Sequence, residues 1–244
     1  MENAVKLENV YKLFPVEGQK GKFNAVLQDI SLEVKKGSLV VIGGANGSGK
    51  TVLMNIISGL ENATDGKVFT ESKPGLVFQD AFVQILGDTP AEDVAVGLKN
   101  LKVNKKEIPE IVKKSLEAVD LQEKSDFPAD FLSGGEKRRL AVASILAMNR
   151  EIIIFDEPYA NLDYPGVLNV NALIQKLHSE KKTVIILTHE LEKCLGMAEQ
   201  FVVLFKGKKV FDGCPEDAIN LKLENWGIRN PLNIYNSVKD LIWI

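Results

Sequence analysis

Two cysteines in 244 residues, Cys194 and Cys214, leave no material for a disulfide framework. They form no Cys-x-x-Cys pair. With only His178 and His189 beside them, they make no zinc-ligand cluster either. Two isolated thiols suit a reducing compartment. Charge of one sign is also lacking: 30 basic against 33 acidic residues give a net charge of −3, which argues against a nucleic-acid protein held by bulk charge. The opening MENAVKLENV has no basic segment followed by an apolar one, so no secretory signal is expected. No apolar run approaches the roughly 18–20 residues that span a bilayer. The longest candidate, residues 140–148, is expected to be an amphipathic helix beside charges. Membrane contact is therefore expected only through a partner. Internal repeats and low-complexity segments are missing as well. The remaining composition, 45% hydrophobic, is that of a globular chain able to bury a full core.

What is present is concentrated in the stretch GGANGSGKTVLMNIISGL, residues 43–60. Residues 39–42 (LVVI) read as a short buried strand. After Gly49, the apolar residues Val52, Leu53, Ile56, Ile57 and Leu60 fall at helical spacing. Between strand and helix, Gly44 to Thr51 fits G-x-x-x-x-G-K-[ST], the Walker A phosphate loop, in the strand–turn–helix context that confirms it. Gly44, Gly47 and Gly49 let the backbone turn its N–H groups inward on an anion. Asn46, Ser48 and Val52 complete the candidate nucleotide cradle. The helix that follows adds its N-terminal dipole. Lys50 supplies a point charge for the β- and γ-phosphates of ATP, and the Thr51 hydroxyl is placed to ligate Mg²⁺.

Around this stretch, residues 4–14 and 25–34 alternate in polarity and read as strands of an antiparallel sheet laid against the nucleotide core. Asp65-Gly66 marks a turn, residues 67–70 a strand, and 76–78 a short buried strand. From 79 to 150 the helical period dominates, most clearly over 94–101 and over 108–119, where Ile111, Val112, Leu116 and Val119 share a stripe. This region reads as a helical lobe inserted into an α/β core. Residues 151–155 (EIIIF) and 184–187 (VIIL) are continuously apolar, as parallel strands covered on both faces would be, with a helix over 168–180 between them. A hairpin over 201–211 turns at Lys206-Gly207-Lys208. The expected single domain has core segments 1–78 and 151–224, the helical insertion 79–150, and a tail 225–244 whose Trp226, Tyr235 and Trp243 suggest docking.

Asp156-Glu157 follows the apolar strand directly. Ligands of open α/β sheets bind beyond the carboxyl ends of the strands, so two carboxylates stand beside the phosphate loop. Asp156 would hold Mg²⁺ and Glu157 would polarise an attacking water as general base. In Leu132-Ser133-Gly134-Gly135-Glu136, a serine and two glycines open a helix. This is an anion-binding N-terminus and also a capping box with Ser133 as cap and Glu136 at N3. The segment resembles the signature motif of ATP-binding-cassette ATPases.

That resemblance spans residues 7 to about 218 and implies a P-loop NTPase (RecA-like) fold: a mostly parallel sheet, an N-terminal antiparallel β subdomain and an inserted helical subdomain. It also implies roles. Gln79 is similar to the Q-loop glutamine that touches Mg²⁺ or water, Asp163 in Asn161-Leu162-Asp163 to the D-loop aspartate at the subunit interface, and His189 to the switch histidine at the γ-phosphate. Phe14, with Tyr11 as rival, resembles the aromatic that stacks on adenine; His178 is left structural. In this family Ser133, Gly134 and Gly135 complete the ATP site of a second subunit, which implies a homodimer or a heterodimer with a paralogue. Val77-Phe78-Gln79 with Gln84, Thr89 and Glu92-Asp93-Val94-Ala95-Val96-Gly97 looks like energy-coupling-factor importers of cobalt, nickel and vitamins. That implies a transmembrane subunit, a place at the cytoplasmic face of the membrane, and an arginine of that subunit meeting Glu92 and Asp93. Asp80-Ala81 replaces the usual Asn-Pro, and Tyr159-Ala160-Asn161 is unusual before the D-loop. A soluble cassette of iron–sulfur assembly is the alternative. DNA-repair cassettes are disfavoured because only about fifty residues separate Gln79 from Ser133, too few for their long coiled coils.

Overall fold

The computed structural model describes residues 2–232. The chain opens with two long strands, β1 (Asn3–Pro15) and β2 (Phe23–Lys35), then β3 (Leu39–Gly43), helix α1 (Lys50–Ile57), and strands β4 (Asp65–Thr70) and β5 (Gly75–Val77). Three helices follow, α2 (Pro90–Asn100), α3 (Ile108–Glu117) and α4 (Gly134–Ala147). The remainder is β6 (Ile152–Asp156), α5 (Tyr164–Ser179), β7 (Thr183–Thr188), β8 (Gln200–Phe205), β9 (Lys208–Gly213) and the short α6 (Pro215–Ile219).

Two sheets form. β2-β1-β4 is antiparallel, and the six-stranded sheet runs β5-β6-β7-β3-β8-β9, parallel except for the β8–β9 hairpin. The sequence reading did not assign β4 a sheet; it pairs with β1 at Val5↔Thr70 and Leu7↔Val68. The continuously apolar strands have the predicted cause. Along β3, Val40 and Ile42 join one core while Leu39 and Val41 join the other, and β6, β7 and β8 alternate in the same way. Both faces of the sheet are covered, so each of these strands is apolar through its middle, with polar residues only at the ends.

The strongest disagreement with the sequence reading lies in α4. An amphipathic helix was expected at its C-terminal half, yet Leu140, Ala141, Val142, Ala143, Ile145 and Ala147 are all buried. The helix packs on α2 and α3 and also reaches β5, so it has no broad solvent face. Near the C-terminus, Leu223 and Ile228 are buried and Trp226 packs on the core; Tyr235 and Trp243 lie outside the described residues. Among the described residues no helix is long and apolar enough to cross a membrane.

Candidate active site

The phosphate loop leaves the carboxyl end of β3, the strand between β7 and β8. Its glycines are needed for space. A Cβ on Gly44 would lie 2.5 Å from the Leu204 carbonyl oxygen, and one on Gly49, at φ +104°, 2.7 Å from Leu27. The β8–β9 turn holds the loop from outside. The Gly207 N–H donates to the Ser48 carbonyl (3.1 Å), and the Gly207 carbonyl accepts from the Gln28 N–H (2.8 Å). Phosphate loop, hairpin and antiparallel sheet are thus fastened at one residue.

Asn46, Gly47, Ser48, Gly49, Lys50, Thr51 and Val52 line a cavity of about 270 Å³, together with Gln79, Glu157, His189 and Val26. Motifs more than a hundred residues apart in sequence therefore converge. The Lys50 ammonium is buried and donates to the Gly44 carbonyl (2.6 Å), with Glu157 Oε1 at 3.5 Å. Glu157 Oε1 also lies 3.0 Å from His189 Nδ1, and Oε2 accepts from the His189 backbone N–H at 3.3 Å. A neutral His189 must carry its proton on Nδ1 to make that bond, which leaves Nε2 free. Glu157 sits at φ +44°, an uncommon backbone for a non-glycine residue, and its N–H is tied to the Leu187 carbonyl at 2.8 Å. Next to it, Asp156 is buried and its carboxyl is pushed up to about 6. Burial is the main cause, the Glu157 charge adds to it, and Lys50 opposes it.

Other expected site residues lie elsewhere. Gly44 sits beneath the cavity, and Asp156 does not line it. Phe14 stands outside it, with the Lys12 ammonium 4.9 Å from its ring centroid. Ser133 caps α4 in the expected capping box: its Oγ accepts from the Glu136 N–H (3.3 Å) and its N–H donates to Glu136 (2.9 Å). A hydrogen bond from Lys124 is the main reason the Glu136 carboxyl falls to about 2. Gly134 and Gly135 have open space where a Cβ would stand. Asp163 caps α5 through the Gly166 N–H at 2.9 Å.

Asp93 is corrected. It is 4% exposed and turned inward, accepting from the Leu86 and Gly87 N–H groups (2.7 and 3.2 Å) and from the Ser144 hydroxyl (2.7 Å), rather than presented to an outside arginine. Glu92 is exposed. Gln84, named in the sequence only as part of the importer-like pattern, has a structural job there: its side chain accepts from the Phe78 N–H and donates to the Leu76 carbonyl. It thereby continues the hydrogen bonding of β5 into the Gln79 loop. The sequence reading missed Arg138.

A glycine-bounded phosphate loop on a parallel sheet, with lysine, glutamate and histidine at one mouth, defines a P-loop nucleotide-binding protein. The family model described as "ABC transporter" matches residues 27–160, more than half of the chain. The energy-coupling factor transporter ATP-binding protein EcfA of Carboxydothermus hydrogenoformans is 38% identical over 95% of this chain and 89% of its own length. EcfA1 of Clostridioides difficile is 37% identical over 90% and 83%. Among solved structures, cbiO1 from Clostridium perfringens, described as part of the ABC transporter complex cbiONQ, superposes with a TM-score of 0.79 and 26% identity over 91% of this chain and 92% of that one. A dimeric cassette in a post-hydrolysis state bound to ADP and Pi gives 0.77 and 28%, over 86% and 98%. The chain belongs to the ABC transporter family, among the ATP-binding proteins of energy-coupling factor type, and is an ATPase.

Proposed function

We propose that this ATPase powers import of a vitamin or transition metal ion, docked on a transmembrane subunit at the cytoplasmic face of the membrane and paired with a second cassette. The observation that carries the site assignment is the convergence of Lys50, Gln79, Glu157 and His189 on one cavity. Lys50 and the loop N–H groups bind the β- and γ-phosphates. Glu157 takes the proton of the attacking water, oriented by His189 Nδ1, whose Nε2 is left to face the γ-phosphate. Thr51, Gln79 and Asp156 offer only oxygen donors, a set that fits Mg²⁺ shared with phosphates; the cation would neutralise charge on those phosphates. Phe14 is assigned to the adenine.

The cavity of about 270 Å³ lies below the roughly 300–1,000 Å³ usual for ligand pockets, which suits a phosphate tail better than a whole nucleotide. Ser133, Gly134, Gly135 and Asp163 are assigned to the ATP site of the partner cassette, identical or paralogous. Exposed Phe82, Val83 and Leu86 beside the Gln79 loop supply an apolar surface for the transmembrane subunit. Relatives named as energy-coupling factor proteins favour this reading over iron–sulfur assembly. A mild-detergent pull-down from native membranes tests it. An integral membrane protein is expected with the chain; a soluble assembly partner alone would overturn the transport reading.

A further inference from the structure

One buried side chain joins the loops on which the reaction depends. Arg138 stands five residues past Ser133 on α4 and is 8% exposed. Its Nη1 donates to the carbonyls of Pro158 (2.7 Å) and Ala160 (2.9 Å), and its Nη2 donates to the carbonyl of Gln79 (2.9 Å). Pro158 directly follows Glu157, and Ala160 leads towards Asp163. Among the described residues Arg138 has no salt-bridge partner, so three backbone carbonyls surround a desolvated cation. Burial pulls its ionisation below the ordinary arginine value, against the opposing charges of Asp80 and Glu190. Filling space at this point needs no charge, and a buried cation is costly to keep. What the guanidinium adds is a planar fork that holds two separate loops at fixed angles.

The strained backbone of Glu157 gives that fork a purpose. A non-glycine residue at φ +44° stays there only where its surroundings enforce it. On one side, the Glu157 N–H is held by the Leu187 carbonyl. On the other, the Glu157 carbonyl accepts from the Ala160 N–H (3.2 Å), and the turn so closed is held by Arg138 through the Pro158 and Ala160 carbonyls. Releasing the second restraint lets the residue relax to a commoner conformation and carries its carboxylate away from Lys50 and His189. Because the same guanidinium grips Gln79, a displacement of that loop reaches Glu157 through one side chain.

We propose that Arg138 is a positioning residue for ATP hydrolysis, fastening the Gln79 loop and the 158–160 turn to α4 so that Glu157 stands at the phosphate loop. The proposal rests on Glu157 being the general base. The test compares wild type with Arg138→Gln, Arg138→Lys and Glu157→Gln in the full chain, measuring kcat, KM for MgATP, affinity for a fluorescent ATP analogue and Tm. Arg138→Gln is expected to lower kcat by about a hundredfold, the scale of a small misplacement of a reacting group. KM and analogue affinity should stay within about twofold, because Lys50 and the phosphate-loop N–H groups that grip the phosphates are not among the partners of Arg138. Arg138→Lys should fall between, since one ammonium cannot bridge both loops. Wild-type kcat in Arg138→Gln, full rescue by Arg138→Lys, or a loss of analogue affinity equal to the loss of kcat would each overturn the proposal. Should Arg138→Gln not fold, Arg138→Lys alone decides, by reduced or wild-type kcat. Turnover surviving in Glu157→Gln would remove the base reading itself, whatever Arg138 does.

Discussion

Lys50, Asp156 and Glu157 are buried side by side, and the protonation of Asp156 bears on both stability and function. Burial pushes the Asp156 carboxyl up to about 6 in the folded chain, against about 4 when unfolded. The folded state therefore binds this proton more tightly, and stability falls as pH rises between about 4 and about 6. Above that window the ionised carboxylate is a standing cost. Asp156→Asn should raise unfolding stability at pH 7 by about 2 kcal/mol, with no gain below pH 4. It should also abolish Mg²⁺-dependent turnover, the trade expected where a site stores unfavourable charge. Urea unfolding at the two pH values, beside an ATPase assay, checks both; equal stability at pH 7 would mean the carboxylate is not strained. Lys50 differs, because its charge is satisfied by the Gly44 carbonyl and Glu157. Lys50→Ala should cost nucleotide affinity about a hundredfold, the scale of a lost charge-assisted hydrogen bond, read by analogue titration. Unchanged affinity for MgATP would contradict the phosphate-loop assignment.

The β8–β9 hairpin shows how an element far from the nucleotide motifs supports the site. At its turn, Gly207 is at φ +76°, and an added Cβ would stand 2.4 Å from the Val26 carbonyl oxygen. Gly207→Ala should destabilise the chain by about 1–2 kcal/mol and weaken nucleotide binding, because its N–H is the tie to Ser48. Thermal melting with nucleotide titration checks this; a loss of stability with unchanged affinity would make the tie purely structural. The turn itself was legible from Lys206-Gly207-Lys208, but its contact with the phosphate loop was not, since nothing local encodes a hydrogen bond across some 160 residues. The same division runs through the chain. Elements whose period reflects their own burial could be read: the apolar centres of β6 and β7, the α3 stripe, and the Ser133 cap with Glu136. Features set by distant packing could not. β4 joins β1 rather than the central sheet, α4 is enclosed by three neighbours, and Asp93 turns inward to hold Leu86 and Gly87. An acidic pair in a first helical turn gives no sign of which member faces out. Arg138 was hidden for the same reason: in sequence it is one cation in a basic run, and only the approach of Gln79 and Pro158 reveals its use.

At the scale of the whole molecule, the signature glycines pose a question that one chain does not answer. Gly134 and Gly135 occupy the first turn of α4, directly after the cap Ser133, where glycine is a poorer helix former than alanine. Neither has a positive φ, and nothing lies within 4 Å of an added Cβ. Their own fold gives no steric reason to omit the side chain, which agrees with the proposed approach of a second cassette from outside. A second cassette presenting its bound ATP fits, because serine and the helix N-terminus offer hydrogen-bond donors to an anion. Gly135→Asp should therefore leave the monomer folded, with Tm close to wild type, while adding bulk and negative charge at the point of contact. In a Glu157→Gln background, where turnover is blocked, ATP should convert the parent variant to a dimer by light scattering. The Gly135→Asp double variant should remain monomeric under the same conditions. Dimerisation of both to the same extent would remove Gly135 from the interface and with it the shared ATP site. Dimerisation of neither would remove the homodimer and leave pairing with a paralogue to be tested. The same measurement on a mixture with that paralogue would then decide whether the serine–glycine end of α4 closes over its ATP.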